Sequence, residues 1–139
     1  REDYSPFVLT RLEVGYFYTA NHYIRTLRLR EWFRREFASV LKKVDVLLSP
    51  SCPIMPFRIG ANTIEVKGQR VDPRPYLASF TRIHNLTGFP ALTMRCGFTS
   101  SGLPVGLQIA GRPFDEETIL KLAFAYEQSQ PWKDTSPKV

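Results

Sequence analysis

Two adjacent serines, Ser100 and Ser101, are the first residues in this sequence whose types suggest a nucleophile, and they lie in "GFTSSGLPVGLQ", residues 97–108. A nucleophile elbow needs a glycine two residues before its serine and another two residues after, at a sharp turn from a strand into a helix. Neither serine has glycines at both positions, and the following "LPVGLQIA" has the pattern of a strand. The stretch therefore predicts the turn of a hairpin and no catalytic serine.

The cysteines and histidines are the other candidates for chemistry. Cys52, Cys96, His22 and His84 show no spacing typical of metal ligands. Cys52 is predicted to be a small packed residue, because no histidine lies near it in the sequence. His84 is predicted to be a helix residue with one satisfied hydrogen bond, since it has no placed carboxylate or thiol beside it. The sequence thus predicts no catalytic residue, no metal and no cofactor.

The net charge of +6 raises the hypothesis of a nucleic-acid partner, because Lys and Arg neutralise phosphates. Most of the excess positive charge falls in one segment, at Arg25, Arg28, Arg30, Arg34, Arg35, Lys42 and Lys43. The favoured interpretation is a solvated helix face, and a module that binds RNA or an acidic partner is the alternative.

The apolar runs, such as "VDVLL" and "ILKLAFAY", are interrupted by charge before the roughly 18 residues that a membrane span needs. The first residues, "REDYSPF", lack the apolar stretch of a signal peptide, and two distant cysteines give no disulfide framework. These patterns predict a cytoplasmic protein with no membrane partner.

The periodicity predicts an α/β fold in which a long amphipathic helix leads into a short strand buried on both faces. Ser5 and Thr19 are placed to begin the first two helices. The predicted elements are helices at about 6–15, 20–43, 75–87 and 115–128, strands at about 44–48, 91–96 and 105–110, a hairpin at about 63–71, and a polar tail at 129–139.

Two longer stretches carry a resemblance to a known family. "VDVLLSPSCP" and "NLTGFPALTMRCGFTSSGLPVGLQIAGRPFDEETILKLAFAYEQ" resemble the C-terminal part of the amidase signature family, as does the helix "RLEVGYFYTANHYIRTLRLREWFRREF". The resemblance covers nearly the whole chain and implies the C-terminal segment of a single amidase domain, with mixed sheet strands flanked by helices. It leaves open a general amidase, slightly favoured by the aromatic "YFY" and "EWF", and the A subunit of glutamyl-tRNA(Gln) amidotransferase.

The resemblance also implies a reaction and a partner. Family members hydrolyse amides with a Ser, cis-Ser, Lys triad whose serines lie in a run of the "GGSSGGS" type, and that run is absent from this sequence. The catalytic residues are therefore expected outside this chain. The implied partners are the N-terminal catalytic part of the same enzyme and a small amide substrate.

What the resemblance carries over to this chain is a pocket wall on the acyl side of the substrate. The residues at the matching positions are Ser51, Cys52, Thr93 and Met94, and the alternative interpretation is that they are ordinary buried residues. Arg95 departs from the family, which usually has proline there, and it is a candidate for a cation near the cavity. Because a segment of a larger sheet exposes apolar edges, the isolated chain is also expected to self-associate.

Overall fold

Residues 3–136 are described by the computed structural model, and the chain divides into one unit that ends at Glu36 and a second that begins at Phe37. The first unit contains helix α1 (Pro6–Val14), a 3₁₀ turn (Gly15–Phe17) and most of helix α2 (Ala20–Leu41). The second unit contains the last turn of α2, strands β1 (Val46–Pro50), β2 (Ile64–Val66) and β3 (Gln69–Val71), helix α3 (Arg82–Thr87), strands β4 (Ala91–Phe98) and β5 (Pro104–Gly111), and helix α4 (Glu116–Ser129). The predicted α/β class is confirmed.

The first two helices begin at the residues that the sequence indicates. The Ser5 hydroxyl accepts a hydrogen bond from the Val8 N–H at 3.4 Å. The Thr19 hydroxyl accepts one from the His22 N–H at 3.3 Å, and the His22 Nδ1 atom accepts one from the Thr19 N–H at 3.4 Å. These bonds satisfy N–H groups that have no partner inside the helix.

The larger sheet has the order β1-β5-β4, and both neighbouring pairs are antiparallel. β4 and β5 form the predicted hairpin. In its turn, the Thr99 N–H donates to the Leu103 carbonyl at 2.7 Å, and Gly102 has a left-handed φ of 81°. Glycine adopts that conformation without steric cost, so "TSSG" folds as a connection between two strands.

The core of the second unit lies between the sheet and α4. Its buried members are Ile109, Ile119 and Ala123, and the partly buried side chains of Val46, Leu92, Met94 and Leu107 pack against them. Gly111 sets the distance between α4 and β5, because a Cβ atom at this position would lie 2.8 Å from Ile119 Cγ1. The helix therefore approaches the strand more closely than any larger residue at 111 would allow.

Arg112 joins three parts of the second unit. Its guanidinium donates to the Leu41 carbonyl at 3.0 Å, to the Val44 carbonyl at 3.1 Å and to Asp45 at 2.8 Å. It also donates to Asp115, the residue before α4, at 3.3 Å. The hydrogen bond to Asp45 is the main cause of the raised pKa of Arg112. One planar cation thus binds the end of α2, the residues before β1 and the start of α4.

The small hairpin of β2 and β3 turns at Lys67 and Gly68, which have φ angles of 51° and 79°. Positive φ at both central residues is the conformation of a type I′ turn, whose twist matches that of the paired strands. The Lys-Gly pair thus occupies the turn that the sequence indicates.

The structure corrects three predicted boundaries. The helix expected at 75–87 is shorter and begins at Arg82; before it, the Tyr76 N–H donates to Pro73 and the Ser79 N–H to Tyr76, which is the three-residue spacing of tight turns. The helix expected at 20–43 ends at Leu41.

The third correction concerns the strand expected at 44–48. It runs from Val46 to Pro50, and Leu48 in its middle is 59% exposed. The expectation of burial on both faces was wrong for the described residues. β1 lies at an edge of the sheet, where nothing in residues 3–136 covers that side chain.

Candidate functional site

A cavity of about 400 Å³ lies where β1 ends and β5 begins. Its wall is formed by residues 50, 52–57, 77 and 104–106, and none of these side chains is charged. Prolines, Ile54, Phe57 and Leu77 make most of the lining apolar. Such a cavity suits the apolar part of a small ligand.

Ser51 and Gly106 fix the geometry at this cavity. The Ser51 N–H donates to the Gly106 carbonyl at 3.0 Å and continues the pairing of β1 with β5 by one residue. The Ser51 Oγ atom occupies the space that a Cβ atom on residue 106 would need, and Thr93 Cγ2 lies 3.3 Å from the same point. Glycine at 106 therefore lets Ser51 and Thr93, two of the four predicted wall residues, approach each other.

The Ser51 hydroxyl is unusual because it is buried and has no hydrogen-bond partner among the described residues. Burying a hydroxyl without a partner costs free energy. Cys52, the next residue, is partly exposed with a free thiol and lines the cavity. Of these two predicted wall residues, Cys52 lines the cavity, and Ser51 lies buried between the lining residues Pro50 and Cys52.

Met94 does not join them. Successive side chains of a strand point to opposite faces of the sheet, so Met94 faces away from Thr93. It pairs with Leu107 and packs against the core beneath α4. The structure places Met94 in the core and the other three predicted residues near the cavity.

A polar row crosses the sheet next to Ser51, and sequence reasoning missed it. Gln108 is only 3% exposed, and its amide donates to the Ser49 hydroxyl at 3.2 Å and to the Phe80 carbonyl at 3.5 Å. Ser49 and Thr93 pair with Gln108 from either side. The only signal in the sequence was a glutamine inside the apolar strand "VGLQIA".

Arg95 does not place a cation in the cavity, which corrects the expectation for it. Its guanidinium donates to the carbonyl groups of Trp132 and, at 2.9 Å, Thr135, and it lies 5.1 Å from the centre of the Phe98 ring. The Trp132 ring packs edge-on against the same phenylalanine at 6.1 Å. The tail after α4 is therefore attached to β4 by an arginine and an aromatic pair.

His84 lies on α3, and its ring meets the Phe37 ring edge-on at 5.8 Å. Its Nδ1 atom is buried without a hydrogen-bond partner in the described chain, so the predicted hydrogen bond is not formed at that atom. Burial lowers the pKa of His84 below its ordinary value of 6.5. The apolar environment thus favours the neutral form of the imidazole.

Residues 3–136 contain no cluster of three or more His, Cys, Asp or Glu side chains that is able to hold a metal ion. Within the same residues, no helix has the length and apolar character needed to cross a membrane.

A family model described as Amidase matches residues 2–120. The chain belongs to the amidase family. This membership confirms the resemblance given by "NLTGFPAL" and "GLPVGLQ".

Curated relatives of this amidase-family chain include the A subunit of glutamyl-tRNA(Gln) amidotransferase from Thermodesulfovibrio yellowstonii. It is 40% identical over 129 residues, which cover 91% of this chain and 25% of the relative. The corresponding protein of Myxococcus xanthus is 43% identical over 108 residues, which cover 77% of this chain and 21% of the relative. The amidase-family chain thus spans about a quarter of the length of the relatives it matches.

Solved structures give the same result. A structure described as an amidase superimposes with a TM-score of 0.79 at 30% identity, over 88% of this chain and 28% of the other. The A subunit of the glutamyl-tRNA(Gln) amidotransferase of Thermotoga maritima superimposes with a TM-score of 0.70 at 31% identity, over 94% of this chain and 29% of the other. The described fold is therefore that of one part of a larger amidase.

Proposed function

We propose that this chain is the C-terminal segment of a single amidase domain that hydrolyses the C–N bond of a carboxylic amide. In this proposal the chain forms one wall of the acyl side of the substrate site, with Ser51, Cys52 and Thr93 near the ligand. The catalytic residues belong to the N-terminal part of the enzyme, outside this chain. Family membership supports the reaction, and the uncharged cavity supports a binding role for this segment.

The reaction proposed for the whole enzyme uses a Ser, cis-Ser, Lys triad. The lysine accepts a proton from the bridging serine, which in turn accepts one from the serine that attacks the amide carbon. Backbone N–H groups stabilise the negative charge on the carbonyl oxygen, and the amine leaves with a proton returned through the same residues. Water then releases the acid from the acylated serine.

The observation that carries the proposed role of this chain is the approach of Ser51 and Thr93 across Gly106, beside the apolar cavity. None of the side chains that line that cavity is charged. A wall of this kind orients an uncharged group and excludes water from it, while it supplies no acid or base.

The test is a chimera in which this chain replaces the matching C-terminal quarter of the Thermodesulfovibrio yellowstonii relative. We expect the chimera to hydrolyse members of a panel of small amides, and the 139-residue chain alone to hydrolyse none. Gly106→Ala in the chimera should lower kcat/KM, whereas Gly97→Ala, which meets no atom within 4 Å, should leave it unchanged. Activity from the isolated chain would overturn the proposal.

A second candidate is the A subunit of a tRNA-dependent amidotransferase, which would hydrolyse the side-chain amide of glutamine. The identity of 33–43% to curated proteins of that name favours it. The two candidates separate by substrate: the chimera would release ammonia from glutamine in the second case and from simple aliphatic or aromatic amides in the first.

A basic binding module is not favoured by the described contacts. Arg34 and Arg35, which would belong to its binding face, both lie beside Glu31, at 3.8 and 3.1 Å. That carboxylate reduces the charge available to a phosphate. If the chain binds RNA and loses that binding when Arg28, Arg34 and Arg35 are changed to Gln, the basic binding module would be favoured instead.

A further inference from the structure

The cavity at the end of β1 has a rigid wall. Four of its eleven lining residues are prolines, at positions 50, 53, 56 and 104. Because the pyrrolidine ring fixes φ, these residues have little backbone freedom to lose when a ligand binds. The wall is therefore formed before a ligand arrives, and its shape and chemistry are able to select among ligands.

Met55, Phe57 and Leu77 are three of the larger side chains in this wall. Met55 and Leu77 are 62% and 49% exposed, so a ligand that covers them removes apolar surface from water. The ring of Phe57 packs favourably against a second aromatic ring, and so does the thioether of Met55. These contacts favour an apolar ligand that carries an aromatic group.

The volume of the cavity sets the size of that ligand. A dry cavity of about 150 Å³ holds one benzene molecule. The cavity beside β1 has a volume of about 400 Å³, which is more than twice as large. It therefore has room for two fused rings, or for one ring on a short chain.

The same wall disfavours a charged ligand. No lysine or arginine is among its lining residues in the described part of the chain, so a carboxylate in the cavity would lose water without gaining a cationic partner. Burial of an unpaired charge is far more costly than burial of an apolar group. Glutamine, which carries a carboxylate and an ammonium group on the acyl side of its amide, is therefore a poor ligand for this cavity.

We propose that the enzyme to which this chain belongs hydrolyses amides with an apolar, aryl-containing acyl group, and that this group occupies the cavity beside Met55, Phe57 and Leu77. The inference rests on the proposed amide hydrolysis and names its substrate class. The carbonyl carbon lies outside the cavity, where the catalytic residues of the N-terminal part act on it, and addition of water releases the aryl-containing acid and the amine. An acyl group of this class favours a general amidase over an A subunit that hydrolyses glutamine.

The first test measures kcat/KM of the chimera with the Thermodesulfovibrio yellowstonii relative for amides that differ only in the acyl group. Each methylene added between acetamide and hexanamide should raise kcat/KM about fourfold, the factor expected for one buried methylene group. Hydrocinnamamide, with a phenyl ring on a short chain, should exceed hexanamide. Glutaramate has the chain length of hexanamide and ends in a carboxylate, so its kcat/KM should be lower by about a hundredfold or more.

Two variants test whether this cavity sets the preference. Met55→Arg and Leu77→Arg each place a cation on the wall at an exposed side chain, so the chimera should still fold. Each should lower the preference for hexanamide over glutaramate by about tenfold or more, because the carboxylate gains a partner. Ile59→Arg adds the same charge at a fully exposed position outside the lining, and this matched control should keep the wild-type preference.

A second measurement is independent of catalysis. Cys52 lines the cavity, whereas Cys96 lies outside the lining, at a bulge of β4 where the register with β5 shifts between Arg95 and Gly97, and both thiols are free and partly exposed. Benzylacetone, the methyl ketone that matches hydrocinnamamide and cannot be hydrolysed, should slow alkylation of Cys52 by N-ethylmaleimide and leave Cys96 unchanged. Acetone and the charged ketone levulinate should protect Cys52 much less. Mass spectrometry of the peptides gives both rates.

The two measurements separate the ligand class from the reaction. A chimera that hydrolyses no amide but shows protection of Cys52 by benzylacetone would overturn the proposed reaction and support the apolar ligand class. Hydrolysis with a preference for glutamine or glutaramate would overturn the ligand class while amide hydrolysis stands. A Cys52 thiol that reacts equally with and without benzylacetone, or that is closed to the reagent, would also overturn it, because no ligand then occupies the cavity.

Discussion

The Oγ atom of Ser51 fills the space beside Gly106 that any larger residue at 106 would need. Three strands meet at this point, since Ser51 follows β1, Gly106 lies on β5 and Thr93 on β4. A glycine without a positive φ is therefore required here by close packing and not by backbone conformation.

Gly106→Ala should lower the free energy of unfolding by about 1–3 kcal/mol, the usual cost of inserting a methyl group into a packed site. Gly97→Ala, on β4 with open space around it, is the matched control and should stay within about 0.5 kcal/mol of wild type. Urea denaturation measures both. Adding Ser51→Ala should recover most of the loss, because it removes the nearest atom and a hydroxyl that has no partner among the described residues. Equal effects of the two glycine substitutions would contradict the proposed crowding.

Tyr126→Phe should destabilise the second unit by about 0.5–1.5 kcal/mol, because the Cys96 carbonyl at the bulge loses its hydrogen bond. Tyr16→Phe, in a side chain that is 84% exposed, is the control and should have no measurable effect. Thermal unfolding gives the comparison, and exchange at the amides around residue 96 should increase only in Tyr126→Phe. An unchanged exchange pattern would show that the bulge does not depend on this hydroxyl.

Arg112→Gln should lower the melting temperature and speed amide exchange between residues 41 and 46. The substitution breaks the bonds from the guanidinium to Leu41, Val44 and Asp45. Arg112→Lys should not restore stability, because an ammonium group cannot reproduce the planar fork. Arg35→Gln, which breaks only an exposed pair with Glu31, serves as control and should melt close to wild type. If both variants melt alike, Arg112 does not join these segments.

His84 gives a prediction about pH. Its pKa is lowered by burial, so below pH 6.5 the unfolded chain binds a proton that the folded chain does not. Its contribution to stability is therefore complete above pH 6.5 and decreases as the pH falls toward the lower folded value. Denaturation between about pH 5 and 8 should show this decrease, and His84→Phe, which keeps a ring against Phe37, should reduce it.

The control for the pH experiment is His22→Gln, on the exposed start of α2. This substitution removes the hydrogen bonds shared with Thr19 and leaves the contact between His84 and Phe37 in place, so it tests whether the loss of a histidine elsewhere gives the same change. A slope that persists in His84→Phe would assign the pH dependence to another group.

The local features of the fold were predictable from the sequence because neighbouring residues determine them. Ser5 and Thr19 cap helices through their own hydroxyl groups, and Gly88 ends α3 with a left-handed φ of 73°. The hairpin of β4 and β5 was predictable because its sequence shows a short turn between two stretches of alternating apolar residues. The family could also be identified, because "GLPVGLQ" and its neighbours lie in order within one short region.

Features that depend on distant residues were not predictable in the same way. Nothing near Val46 indicates that its strand pairs with Gly111, or that Arg112 binds the end of α2. The bulge at Cys96 depends on the register between two strands. The opposite placement of Thr93 and Met94 could have been predicted from the sequence, because successive side chains of a strand point to opposite faces of the sheet.

The strand order β1-β5-β4 has a consequence for biosynthesis. β1 is complete at Pro50, but the strand it pairs with does not begin until Pro104. A ribosome that adds about 5–20 residues per second needs on the order of 3–10 s to reach that point. During this interval the nascent β1 has no β5 to pair with, and the apolar Leu47 and Leu48 are available to chaperones or to aggregation. The rate of translation across residues 51–103 therefore determines how long β1 remains unpaired before β5 is synthesised.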